Sequence, residues 1–472
     1  MKLPARPRLA EHVLARRHLV GDRASVVLHD TRTGRAVQLG AREWELLAGA
    51  DGTRDLEGIV LAAAREGAHA RPPQLRAFLE QLWQAGFLAA GDEQAAPPTA
   101  AAQVDVDGRR ALDVLPDFSM HCDGRGSCCR QYETVLFAPV EAARARALCP
   151  RVLEGGDKHE RAFLPERGAG AQGGSAVALV AGACAYLDAA SCRLHEAGGA
   201  DAKPLGCRLF PATFVDDGVR VRVSAVVECA CVLASVGHRD GAPLVPGAAR
   251  TRGELAPEID VVVLPPHVRV TATRTVTREA LHAWSAEQAL APAPRDVVPA
   301  LMTLADHVER DGLTPCPPHA PDPRGAPSPS QQARLREHLR ALHARLGARA
   351  REGAGWRSEK DFARRAIAWM AEGCEATLAE GWEGALAAPD DATREAFYVR
   401  ASIFGHALVI DDVPLAAALR DRAARVVLAR ALGRAFAPGP EPTDPAFREP
   451  IAVVEAMLRG HGLGAYVHDL DL

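Results

Sequence analysis

Lysine is scarce in this sequence, occurring only at Lys2, Lys158, Lys203 and Lys360, so positive charge is almost entirely arginine. With alanine abundant throughout, that bias reads as the base composition of the coding sequence rather than as a functional signal. Long apolar runs are missing too. No stretch supplies the about 18 to 20 uninterrupted apolar residues that a membrane-spanning helix needs. The start, "MKLPARPRLAEHVLARRHLV", is basic but lacks the unbroken apolar core of a secretory signal. The expected location is therefore cytoplasmic, with no membrane partner. Neither sign of charge is in large excess: the formal net charge is -4, which gives no global attraction to nucleic acid. Internal repeats at solenoid periods are absent as well.

At 472 residues the chain exceeds the size over which one hydrophobic core keeps growing, and two or three domains are expected. Residues 1–92 read as a unit. "ASVVLHD" and "RAVQLG" are short β-like runs around the turn "TRTG", followed by three segments with apolar residues at helical spacing. In the last, Leu75, Phe78, Leu79, Leu82 and Trp83 share a face, and "AGFLAAG" suggests a returning strand, a winged-helix-like plan. Residues 93–110 read as a Pro- and Ala-rich linker. Residues 111–250 are loop-rich, with one good helix candidate, "APVEAARARAL", and few apolar residues for a core of their own. Residues 251–472 begin with "IDVVVLPPHVRVTATRTVT", paired strands broken by prolines, and continue mainly as helices. One of these places Leu335, Leu339, Leu342 and Leu346 on a single stripe. The fold class is α+β, in three parts: a winged-helix-like domain, a cysteine-cluster domain and a mainly helical region.

What stands out is cysteine. There are eleven, and Cys122, Cys128, Cys129, Cys184, Cys192, Cys207, Cys229 and Cys231 crowd into the middle region. In a reducing compartment such crowding points to metal binding or redox chemistry rather than a disulfide framework. Three blocks carry the signal: "CDGRGSCC" at 122–129, "CAYLDAASC" at 184–192, and "KPLGCRLFP" at 203–211 followed by "ECAC" at 228–231. Thiolates are soft ligands suited to zinc and iron–sulfur clusters, and Gly124, Gly126 and Gly206 stand where backbone N–H groups could approach sulfur. The intervals do not match the paired C-x₂₋₄-C knuckles of a zinc ribbon. In extended chain Cys128 and Cys129 would point to opposite sides, which suits a cluster or two centres better than one tetrahedral ion.

At these residues the sequence resembles the YkgJ-type cysteine-cluster family, a zinc- or iron-chelating domain. Its pattern is matched by Cys122, Gly126, Cys128 and Cys129, by "CAYL", by "CRLH" and by "KPLGCRLFP". The sequence departs where Arg125 stands at a family cysteine position and Lys203 at the usual arginine. Cys229 or Cys231 could replace the missing thiol, or an incomplete shell could leave a coordination position open. A more distant resemblance is to flagellin lysine-N-methylases, which implies an iron–sulfur-dependent protein-modifying enzyme and, through that likeness alone, S-adenosylmethionine. Residues 1–92 are similar to PqqD-like peptide-recognition domains through "VVLHDTRTGRAVQLGAREWELLAGADGTRDLEGIV" and "FLEQLWQAGFL". That likeness implies a peptide or protein substrate added as a strand to the hairpin edge. The combined expectation is a metal-binding protein acting in peptide or protein modification, such as lysine N-methylation. The alternative is a non-enzymatic, zinc-stabilised adaptor.

Other features read as structural. Cys149, Cys316 and Cys374 stand alone and fit core or incidental roles. His121 and His195 adjoin cysteines and could complete a coordination shell. "GAGAQG" at 168–173 lacks the strand-then-helix context of a nucleotide loop, and "HRD" at 238–240 has no accompanying kinase signature. The arginines of 331–351 fit a solvated helix face, and the third helix of the first unit offers only Arg76 as a basic contact to DNA. No sequence feature supplies a recognisable catalytic base or nucleophile.

Overall fold

A computed structural model describes residues 2–21, 23–30, 35–47, 49–65, 71–91, 108–122, 126–132, 135–151, 162–164, 175–188, 191–245, 247, 249–255, 259, 261–291, 293–314, 326–353, 361–389, 392–435, 445–460 and 463–470. Residues 92–107, which take in most of the linker expected at 93–110, and Gly124, Arg125, the "GAGAQG" segment and Cys316 lie outside the described residues. The fold is α+β. Among the described residues no helix is long and apolar enough to cross a membrane.

Near the N-terminus, Val13–Val20, Arg23–Asp30 and Ala36–Leu39 form an antiparallel sheet, in register from Val20 opposite Arg23 to Val26 opposite Leu39. Helices Ala41–Leu47, Leu56–Arg65 and Pro72–Gln84 follow. In the third, Pro72 and Pro73 begin the helix, where a missing N–H costs nothing. Leu75, Leu79 and Leu82 fall on one face and are buried against Val26, Leu28 and Leu39. The chain returns at Leu88–Ala90, which pairs with Pro7–Leu9.

One edge of this sheet is taken by the cysteine region. Leu179–Val180 runs parallel to Val13–Val20, with His18 opposite Leu179, and Ala183–Cys184 folds back on it as a hairpin. The turn between them holds Ala181 at φ 50° and Gly182 at φ 87°, the paired left-handed conformation of a tight two-residue hairpin. A Cβ on Gly182 would fall 2.6 Å from the Asp361 side chain, so only glycine fits. Asp361 in turn caps helix Phe362–Ala376 by accepting the Arg364 amide. Ala36–Leu39 forms the opposite edge of the five strands.

A second sheet has the order Val262–Val263, Ala212–Asp216, Val221–Ala225, Leu112–Val114. Its Val215, Val221 and Val223 share one core with the later helices, including Leu335, Leu339, Leu342 and Leu346, all fully buried. The sheet strands from the cysteine region and the C-terminal helices therefore close a single core. Helix Leu415–Ala435 packs among Val297–Asp311, Pro329–Gly353, Phe362–Ala376 and Pro450–Gly460. Sheet and helices are also tied by a buried node. Asp217 Oδ2 lies 2.6 Å from His282 Nδ1, 3.0 Å from His406 Nε2 and 3.4 Å from Arg222 Nε. A separate small core, built on Phe137, Phe163, Tyr186 and Leu194, underlies the cysteines and includes Cys184.

Candidate metal centre

Four short pieces of chain present the thiols. Gly126, at φ 68°, turns the chain into the single-turn helix Cys128–Gln131. The adjacent cysteines are therefore about 100° apart around a helix, not on opposite sides of an extended strand as the sequence suggests. Cys184 ends the Ala183–Cys184 strand, and Cys192 ends Ser191–Cys192 as the N-cap of helix Arg193–Gly198. Cys207 sits in the helix Leu205–Leu209. A Cβ on Gly206 would meet no protein atom within 4 Å.

Buried Glu141 fixes the Cys207 helix. Its Oε2 accepts the Ala138 amide (2.9 Å) at the start of helix Pro139–Leu148, and its Oε1 accepts the Leu205 amide (2.7 Å). Arg144, one turn further on, donates to the Lys203 carbonyl at 3.3 Å. The loop "KPLGC" is thus held by helix Pro139–Leu148.

The thiols interact with one another. A hydrogen bond with Cys129, followed by burial and the charges of Cys129 and Cys122, pushes the Cys128 thiol well above its ordinary range, while Lys203 opposes the shift. Burial pushes Cys184 up to about 12, with Cys207, Cys192 and Cys128 adding to it and the Tyr186 amide opposing. Cys207 is also raised to about 12, by burial first and then by Cys128 and Cys192, against Lys203. Cys122, Cys128, Cys129, Cys184, Cys192 and Cys207 therefore belong to one electrostatic group drawn from distant parts of the middle region. None of the ten described cysteines forms a disulfide. Among the described residues, no three or more His, Cys, Asp or Glu side chains are placed as a ready-made metal cage.

Cys229 and Cys231 are set differently. Both are buried in the large core, Cys229 as N-cap of helix Ala230–Ala234 and Cys231 within it. Tyr132, just after the double-cysteine helix, connects the two places. Its hydroxyl donates to Glu228, its ring meets Phe210 edge-on at 5.2 Å, and Cys229 adds to the upward shift of its hydroxyl, which burial dominates. His121 and His195 are both exposed; the His121 ring stacks near His238, with centroids 6.2 Å apart. Cys374 is fully buried in helix Phe362–Ala376, and burial alone pushes it up to about 12. Cys149 ends helix Pro139–Leu148 and packs on the same small core as Cys184, where burial raises its thiol, with Arg193 opposing and Cys192 adding to the shift.

The donor set is chemically suited to a soft cation. Several thiols held together resist ionising because each thiolate repels the next; a bound cation removes that repulsion and deprotonates its ligands. Sequence reasoning missed Glu141 and Tyr132, which position this set. A buried glutamate at the third position of a helix and a tyrosine three residues beyond a cysteine pair carry no signal until the fold brings their partners together. No protein-family model matches the chain, and no curated protein or solved structure matches it either.

Proposed function

We propose that thiols from the group Cys122, Cys128, Cys129, Cys184, Cys192 and Cys207 hold a metal or iron–sulfur centre, and that the chain uses it in peptide or protein modification. The observation that supports this most is the mutual influence of Cys128, Cys184, Cys192 and Cys207, which come from four separate segments. Cys229, beside Tyr132, is the reserve ligand for the position that Arg125 takes in the cysteine-cluster resemblance. An iron–sulfur centre would supply one-electron chemistry there; zinc would supply a structural clasp.

The substrate in this reading is a peptide strand. Among the described residues the Val13–Val20 edge of the N-terminal sheet is filled by Leu179–Val180, and its Ala36–Leu39 edge is the one proposed here for an added strand. The filled edge links that sheet directly to Cys184. Anaerobic purification tests the reading. Brown protein with broad visible absorption, iron and acid-labile sulfide supports a cluster, and colourless protein with stoichiometric zinc supports the adaptor alternative. Protein with neither metal overturns both.

A further inference from the structure

Cys149 stands apart from the three cysteine blocks in sequence, yet the fold sets it beside them. It caps the C-terminal end of helix Pro139–Leu148, its amide donating to the Ala145 carbonyl at 2.9 Å. Helix Arg193–Gly198 packs on that helix so closely that a Cβ on Gly198 would fall 3.2 Å from Leu148 Cδ1. Cys192, the N-cap of helix Arg193–Gly198, and Cys149 are both half-buried, and both pack on the small core that holds Cys184.

Tyr186 ties these thiols together. Its amide donates to the Cys184 sulfur, and its carbonyl accepts the Arg193 amide at 2.9 Å, next to Cys192. Phe137 and Phe163 flank its ring, with centroids 5.9 and 6.3 Å away. Only 1% of the residue is exposed, and its hydroxyl is buried with no hydrogen-bond partner among the described residues. Burial holds that hydroxyl well above the ordinary range of a tyrosine, Cys149 and then Cys184 adding to the shift and Arg146 opposing it. Cys149 is therefore the thiol that bears most on the unmatched donor. A hydroxyl buried without an acceptor is costly, and a thiolate beside it supplies one. This donor needs no opening to solvent, because its acceptor belongs to the chain.

We infer that Cys149 is a further thiol ligand of the centre, and that the Tyr186 hydroxyl donates to its sulfur once that thiol has given up its proton. The inference rests on the metal reading and adds to its ligand group a cysteine from outside the sequence blocks. A hydrogen bond to a charged ligand atom is stronger than one between neutral groups, and it orients the ligand.

The test is zinc binding to the full chain, read by chelator competition and elemental analysis, with cadmium as a second probe. Cys149→Ser is expected to weaken binding about tenfold or more, and Tyr186→Phe about tenfold. In the Cys149→Ser background Tyr186→Phe is expected to add nothing, since the two side chains act as a pair. Metal-free Tyr186→Phe is expected to unfold at a temperature no lower than the parent's, because its hydroxyl has no partner to lose. Either single variant binding zinc as the parent does, additive losses in the double variant, or a destabilised metal-free Tyr186→Phe overturns the inference and leaves the reading for the other thiols standing. A parent that takes up neither metal overturns that reading, and the inference with it.

Discussion

Oε1 of Glu141 accepts the Leu205 amide at 2.7 Å, which fixes the start of the helix carrying Cys207 to the start of helix Pro139–Leu148. Both carboxylate oxygens accept backbone N–H groups, so glutamine at this position can satisfy only one of them. Glu141→Gln is expected to cost about 1 to 3 kcal/mol of stability. Metal affinity is expected to fall about 10- to 100-fold, as when an outer partner of a ligand is lost. Denaturant unfolding and metal titration read the two effects separately, and unchanged affinity would remove Glu141 from its positioning role.

Cysteine replacements separate ligands from packing. Cys128→Ser and Cys207→Ser are both expected to lower the metal bound per chain, because each thiol lies within the interacting group. Cys374→Ser is expected to leave metal content unchanged, since that thiol is buried in the helical core. Elemental analysis of the three purified variants is the check.

Metal uptake should release protons. Cys184 and Cys207 are raised to about 12 and Cys128 is raised as well, so at pH 8 these groups carry their protons before metal arrives. Each one that becomes a ligand gives up its proton. Affinity is therefore expected to rise with pH, about tenfold per pH unit for each ligand deprotonated. A pH indicator in weakly buffered solution should record about one proton for each of these thiols that ligates, and zinc bound with no proton release would contradict the assignment.

His338 gives the protein an acid-sensitive stability. Burial lowers it to about 4, with Arg420 and Arg425 contributing and Asp421 opposing. The unfolded chain therefore takes up this proton first as pH falls below about 6.5. Folding is favoured by the neutral form above that pH, and stability declines between about 6.5 and 4, by about 2 kcal/mol at pH 5. Urea unfolding at pH 7 and pH 5 measures the loss, which should shrink in His338→Phe; an equal loss in that variant would place the sensitivity elsewhere.

The helical stripe at Leu335, Leu339, Leu342 and Leu346 was readable because its period matches the helix and its face is fully buried. The N-terminal hairpin and three helices were readable for the same reason. Helix Leu415–Ala435 was only half readable. It lies in the mainly helical region, yet Arg420, Asp421, Arg425 and Arg430 are buried, because carboxylates and a tyrosine from other elements supply most of their partners, and such partners have no trace in a single segment. The hairpin through Ala181 and Gly182 was hidden as well, its strands being only two residues each. The cysteine blocks announced a site by composition. Which thiols gather, and that Cys229 and Cys231 lie in a different core, depended on tertiary packing.

X-ray absorption at the metal edge of anaerobically prepared protein tests the central claim most directly. The account expects a shell dominated by sulfur, at about 2.3 Å for zinc, that loses sulfur in Cys207→Ser and is unaltered in Cys374→Ser. A shell of nitrogen and oxygen alone, or protein that holds no metal, would contradict it.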